Sequence, residues 1–148
     1  MIGCLACDLT EGRQEAPGGC IFEDEHLRVE HCVGPLGIGT LIVKPKRHVL
    51  HVAELTNIEA AALGPVLQRA ASVVTQLLHP EQVYVCLWSH TGRKPVHIHW
   101  VVQPVTEALV ADIGAHGPEL QATMFSRGQL PEAEAAAAFA DEARKLWR

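Results

Sequence analysis

Short runs with a two-residue hydrophobic period fill the first third of the chain. After a stretch rich in Gly, Pro and polar residues at 10–20, "CIFED" and then "HLRVEHCV" predict two strands between Ile21 and Cys32. "GPLGIG" at 34–39 has turn chemistry, and "TLIVKP" at 40–45 predicts a short buried strand stopped by proline. The period then changes. Thr56-Asn57-Ile58-Glu59 has the form of a capping box, and apolar positions Ile58, Leu63, Val66/Leu67, Ala70, Val73/Val74 and Leu77 predict a helix to about Leu78. Gly64-Pro65 interrupts it, and a proline inside a helix costs about 3 kcal/mol, so a kink or a restart at Pro65 is expected. "QVYVCLW" (82–88) and "VHIHWVV" (96–102) predict two more strands, joined by "SHTGRKP". The second has two faces: His97, His99, Val101 and Gln103 on one, Ile98, Trp100 and Val102 on the other. The C-terminal third predicts helix, with Pro131, Glu132 and Glu134 at one end and Arg144, Lys145 and Arg148 at the other, as the helix dipole favours.

A length of 148 residues fits one compact domain with one core. The net charge of −5 removes any general basic footprint for nucleic acid, although "KPKRH" at 44–48 is a local basic cluster. No run is apolar and long enough to span a bilayer, and the first residues have no apolar h-region, so no secretory signal is read. Five cysteines in such a chain predict a reducing, cytoplasmic setting, where Cys-x-x-Cys binds metal or does redox chemistry more often than it forms a structural disulfide. Cys20, Cys32 and Cys86 are expected to pack in or near the sheet.

The chemistry concentrates in two places. Cys4 and Cys7 in "CLAC" have the spacing of half a tetrahedral zinc site, and with no second Cys-x-x-Cys the other half must be histidines brought in by the fold. The alternative is a pair of reduced thiols near a terminus. Among the histidines, His26, His31, His79 and His116 are expected at the surface or in loops, and His48 and His51 follow a buried strand directly. His97 and His99 share one strand face and can point into one pocket.

The order "GTLIVKPKRHV" (39–49), capped helix, strand, glycine-bearing loop and "HIHWVVQP" (97–104) resembles the histidine triad (HIT) superfamily. Its hallmark is His-x-His-x-His-x-x, preceded by a segment of the form "GHTLVIPKRH". The resemblance covers about residues 4–104 and leaves 105–148 as a helical C-terminal extension. It implies an α+β fold with an antiparallel sheet packed with helices in a single domain, a homodimer, and a nucleotide substrate. It further implies nucleotidyl hydrolysis or transfer through a covalent intermediate on the middle histidine, which matches His99. The zinc-bearing branch, which includes hexose-phosphate uridylyltransferases, implies a structural Zn2+ on Cys4, Cys7, His48 and His97. Such a site would brace the strand that carries the nucleophile.

A neutral imidazole attacks phosphorus well when its other nitrogen is held by an acceptor. Charge on the phosphoryl oxygens needs donors, each well-placed one worth roughly 2.7–4 kcal/mol. Ser89, His90, Gly92, Arg93 and Lys94, just before the strand, are the candidates; Arg93 and Lys94 also read as a solvated turn. Three departures from the pattern stand out. Val101 replaces the third histidine, Thr40 replaces the histidine after glycine, and Arg93 and Lys94 stand where glutamine and a small hydroxyl residue are usual. Because Val101 shares a face with His99, a histidine at 101 is expected to restore an imidazole to the phosphate pocket. The rival reading is a non-catalytic, zinc-containing nucleotide-binding or regulatory module.

Overall fold

The structure, a computed structural model, describes residues 3–91 and 93–148. A short helix α1 (Leu5–Thr10) leads into strands β1 (Cys20–Glu23), β2 (Leu27–His31) and β3 (Leu41–Pro45). Helix α2 (Asn57–Leu78) then crosses to β4 (Gln82–Thr91) and β5 (Lys94–Val105), and helices α3 (Glu107–Ile113), α4 (Gly117–Arg127) and α5 (Ala133–Trp147) complete the chain. The strands form one antiparallel sheet in the order β1-β2-β3-β5-β4. This is the expected α+β architecture, with β5 in the interior of the sheet and β4 at its edge.

Side-chain alternation assigns each sheet face a different cover. Leu27, Val29, Leu41, Val43 and Val102 point to the first face, against Val66, Ala70, Val73 and Val74 of α2 and Phe139, Ala140 and Ala143 of α5. Val101 and Val105 point to the second face, where Leu120 and Met124 of α4 join Cys32 and Leu36 over them. The segment read as an extension therefore supplies cover to both faces. Backbone geometry demands glycine at position 39, where φ is +85° and an added Cβ would lie 2.3 Å from Leu78 and 3.2 Å from Phe139.

Thr56 caps α2 as expected, its Oγ1 accepting from the Glu59 N–H at 3.2 Å while the Glu59 carboxylate accepts from the Thr56 N–H at 2.8 Å. The helix does not restart at Pro65: Asn57–Leu78 is one element with the proline inside. Pro65 and Ala61, whose carbonyl loses its partner, are both exposed, so the break falls on the solvent side of the helix while the apolar stripe stays on the sheet. Ile58, expected in that stripe, is also exposed.

His31 corrects the sequence reading. It was expected at the surface, but the β2 alternation places it with Leu27 and Val29 on the core face, fully buried. Its Nδ1–H donates to the Cys32 carbonyl at 2.8 Å and its Nε2 accepts from the Gly39 N–H at 2.9 Å, which fixes the tautomer. Burial lowers its pKa, so the ring is neutral and structural.

Candidate functional site

Three distant stretches converge beside β5. β3 ends at Pro45, and the chain then runs along β5, where the Ile98 N–H donates to the Val49 carbonyl at 2.9 Å. That path brings His48 edge-on to His97, with ring centroids 5.2 Å apart. Helix α1 presents Cys4 and Cys7 to the same point. Cys7 Sγ lies 3.2 Å from His48 Nδ1 and 3.6 Å from His97 Nδ1, and Cys4 Sγ lies 3.9 Å from His97 Nδ1. All four ligand atoms fall within 4.8 Å of one another, with Cys7 and His97 buried.

These atoms fit a zinc ion. A tetrahedron with Zn–S of about 2.3 Å and Zn–N of about 2.0–2.1 Å has S–N edges near 3.5 Å, in the middle of the observed range. Two thiolates and two imidazoles are also the donor set that selects zinc over calcium or magnesium. His97 is prepared for the role by its far nitrogen. Its Nε2–H donates to the Pro45 carbonyl at 2.9 Å, which leaves the Nδ1 lone pair facing the sulfurs. Burial, the largest cause, pushes its pKa down to about 4, so the ring is neutral at physiological pH.

His99 stands two residues further along the same face. Its Nδ1–H donates to the His97 carbonyl at 3.1 Å, so Nε2 carries the free lone pair. Burial lowers the His99 pKa, and the charge of Lys44 lowers it further against the carbonyl bond. A half-buried, neutral imidazole with one nitrogen held is a competent nucleophile. Trp88 on β4 sits directly opposite it.

The remaining expectations fare differently. "SHTGRKP" is not an extended loop: β4 continues to Thr91, β5 starts at Lys94, and those two residues pair. Arg93 takes a left-handed φ of 70° there, as tight hairpin turns require. Gly92 lies outside the described residues. Ser89 is half-buried, and His90, Arg93 and Lys94 are exposed around the hairpin tip. Lys94 and His99 are five steps apart along the strand, about 17 Å at 3.4 Å per residue, more than either side chain spans. Within one chain the tip is therefore not gathered around the His99 ring.

Val101 shares its face with His99 but not its surroundings. It is 1% exposed, sealed beneath α4 by Leu120 and Met124. Just beyond it, Gln103 is fully buried, its Nε2 donating to the Leu36 carbonyl at 3.2 Å and its Oε1 accepting from Gln121 Nε2 at 2.9 Å. Thr40 is buried too, and its hydroxyl donates to the same Leu36 carbonyl at 2.8 Å. Positions 40 and 101 are thus parts of a packed interior, and a histidine at 101 would enter that interior rather than a phosphate pocket.

The basic cluster "KPKRH" is consumed internally. Lys44 pairs with Glu30, and Lys46 donates to the Asp24 carbonyl at 3.1 Å. Arg47 grips Glu59 with both ends of its guanidinium, at 3.1 and 2.8 Å, and holds that carboxyl down at about 2. Those bonds tie the segment around His48 to the start of α2. Sequence reading missed Lys44 and Glu30, although a lysine inside an otherwise apolar strand was a visible signal. Among the described residues, no helix is long and apolar enough to cross a membrane.

No protein-family model matches the chain. Its fold is similar to that of a hypothetical histidine triad nucleotide-binding protein from Sulfolobus tokodaii, with a TM-score of 0.73 at 17% identity over 97% of this chain and 91% of that one. A Hit-like protein involved in cell-cycle regulation from Bartonella henselae gives 0.74 at 14% identity, covering 97% and 96%. A zinc-bound histidine triad family protein from Mycobacterium smegmatis gives 0.62 at 23% identity, covering 96% and 98%. At these identities the likeness is one of fold.

Proposed function

We propose that the chain is a zinc-containing histidine triad protein that hydrolyses or transfers a nucleotidyl group through His99. The observation that carries this reading is the His99 ring: Nδ1 held by the His97 carbonyl, Nε2 free, on a strand whose neighbouring same-face residue belongs to the Cys2His2 cluster. Zinc on Cys4, Cys7, His48 and His97 would supply a rigid tether for the segment that aims that ring. The Nε2 lone pair attacks the phosphorus of a nucleoside phosphate ester, anhydride or phosphoramidate. A P–N bond forms, and the bond to the leaving group breaks with its electron pair, which takes up a proton from water. Water or an acceptor alcohol then attacks phosphorus, losing its proton to the hydroxide left in solvent by the first step, and the electrons of the P–N bond return to Nε2.

On this reading His90, Gly92, Arg93 and Lys94 engage the part of an extended substrate remote from phosphorus, and Ser89, next to Trp88 and so nearer His99, engages the part closer to it. A homodimer is part of the proposal: β4 is an edge strand whose Val85 and Leu87 are exposed, and pairing would cover them. The decisive experiment incubates the purified protein with nucleoside phosphoramidates, dinucleoside polyphosphates and nucleotide sugars, then quenches and maps a nucleotidyl adduct. An adduct on His99 that is absent in His99→Ala is the expected result. Turnover undiminished in His99→Ala would overturn the mechanism. The burial of Val101 favours one rival, a module that binds nucleotide without turning it over, and binding with no adduct would select it.

A further inference from the structure

Lys44 is the most unusual residue of the sheet. It is 1% exposed, on a strand whose neighbours Leu41, Val43 and Pro45 are buried, and it stands where the segment form "GHTLVIPKRH" has isoleucine. A buried ammonium is costly unless its partners are well placed, and an apolar residue of similar volume often serves stability as well or better. Stability therefore does not explain the charge. Its partners point elsewhere. Lys44 Nζ donates to the Glu30 carboxylate and to the Ala6 carbonyl, the latter at 2.9 Å. Glu30 is itself buried and held by Arg28 Nε at 3.0 Å, so the ammonium is fixed from the sheet side.

Ala6 lies between Cys4 and Cys7. Helix α1, which carries Cys7 and has Cys4 as its N-cap residue, is six residues long, has no side-chain cap and buries only Cys7 and Leu9. Such a helix has little of its own to hold it. Lys44 also begins the segment that organises the other two ligands, since the next carbonyl, Pro45, holds the His97 ring and His48 follows three residues later.

We infer that Lys44, locked by Glu30, is a positioning residue for the metal centre, fixing the Cys4–Cys7 turn at the distance at which both sulfurs face His48 and His97. This rests on the metal reading proposed above. Outer partners of metal ligands commonly set affinity by about 10- to 100-fold. Losing the Lys44 strut is expected to act in that range while leaving the sheet intact.

The test uses the full-length protein loaded with zinc and titrated against a coloured chelator. The variant is Glu30→Leu combined with Lys44→Met, which removes both charges and leaves Arg28 with Glu23. Zinc affinity at least about 10-fold weaker is expected, with far-UV circular dichroism unchanged and a Co2+-substituted spectrum altered in its sulfur-to-metal band. Affinity within twofold of the parent, with an unchanged Co2+ spectrum, overturns the inference. If the double variant does not fold, Lys44→Gln decides the matter. It keeps a donor but is too short to hold Glu30 and Ala6 together, so weakened zinc retention is expected and parental retention refutes the role. A parent protein that binds no metal defeats the metal reading itself, a distinct result.

Discussion

Replacing Val101 by histidine sets the packing of α4 against the expectation raised by the sequence motif. The site is 1% exposed and lined by Leu36, Leu120 and Met124. An imidazole is larger than isopropyl, and overpacking a tight core costs about 1–3 kcal/mol. A buried ring nitrogen without a partner adds about 1–3 kcal/mol. Together these give roughly 2–6 kcal/mol, a sizeable share of the 5–15 kcal/mol that stabilises a typical domain. At about 2–4 °C per kcal/mol for a chain of this size, melting should fall by roughly 4–24 °C. Calorimetry of Val101→His beside Val101→Ile, which keeps the site apolar, separates polarity from volume. No gain of phosphoryl transfer is expected. A Val101→His protein that melts with the parent and turns over faster would refute the reasoning, since it would place α4 away from the sheet in solution.

Other outcomes follow from the same geometry. Elemental analysis should return one zinc per chain, and Cys7→Ser or chelation should release it and lower the melting temperature; an unchanged melting temperature would make the centre non-structural. The metal-free protein should lose stability as pH falls from about 6.5 toward 4. His97, at about 4 when folded, is neutral in the fold and protonated in the unfolded chain across that window, and His31 and His99, also lowered by burial, act in the same direction. Each group then contributes up to about 1.4 kcal/mol per pH unit, so urea midpoints should decline on acidification and be flat for these groups above about pH 6.5. Leu87→Lys on the exposed edge of β4 should convert a dimer to a monomer by light scattering, and a parent that is already a 16.1 kDa particle would remove the dimer from the proposal.

Period and caps revealed most of the fold, because the strands are short alternating runs and α2 opens on a capping box that is physically made. His31 went astray because residue type was weighed above its place in the alternation of β2. The Cys2His2 cluster was legible from spacing together with the family resemblance, as ligand geometry tolerates few residue types. The surroundings of His99 were not. Whether position 101 faces water or a helix depends on where α4 lands, a tertiary fact with no local signature. The hairpin tip misled for a related reason: turn-like residues hid strands that pair almost to Gly92.

The separation of the ligand groups along the chain has a consequence for synthesis. Cys4 and His97 are 93 residues apart, and Cys7 and His48 are 41 apart. Because synthesis runs from N- to C-terminus, "CLAC" emerges ahead of the β4–β5 hairpin and waits for it before its ligand set is whole. At roughly 5–20 residues per second that interval lasts about 5–20 s. During it the two thiols are exposed to whatever metal or oxidant the compartment offers. The two cysteines are then fixed only after β5 has been made, and the correct pairing depends on β5 arriving before a competing ligand does.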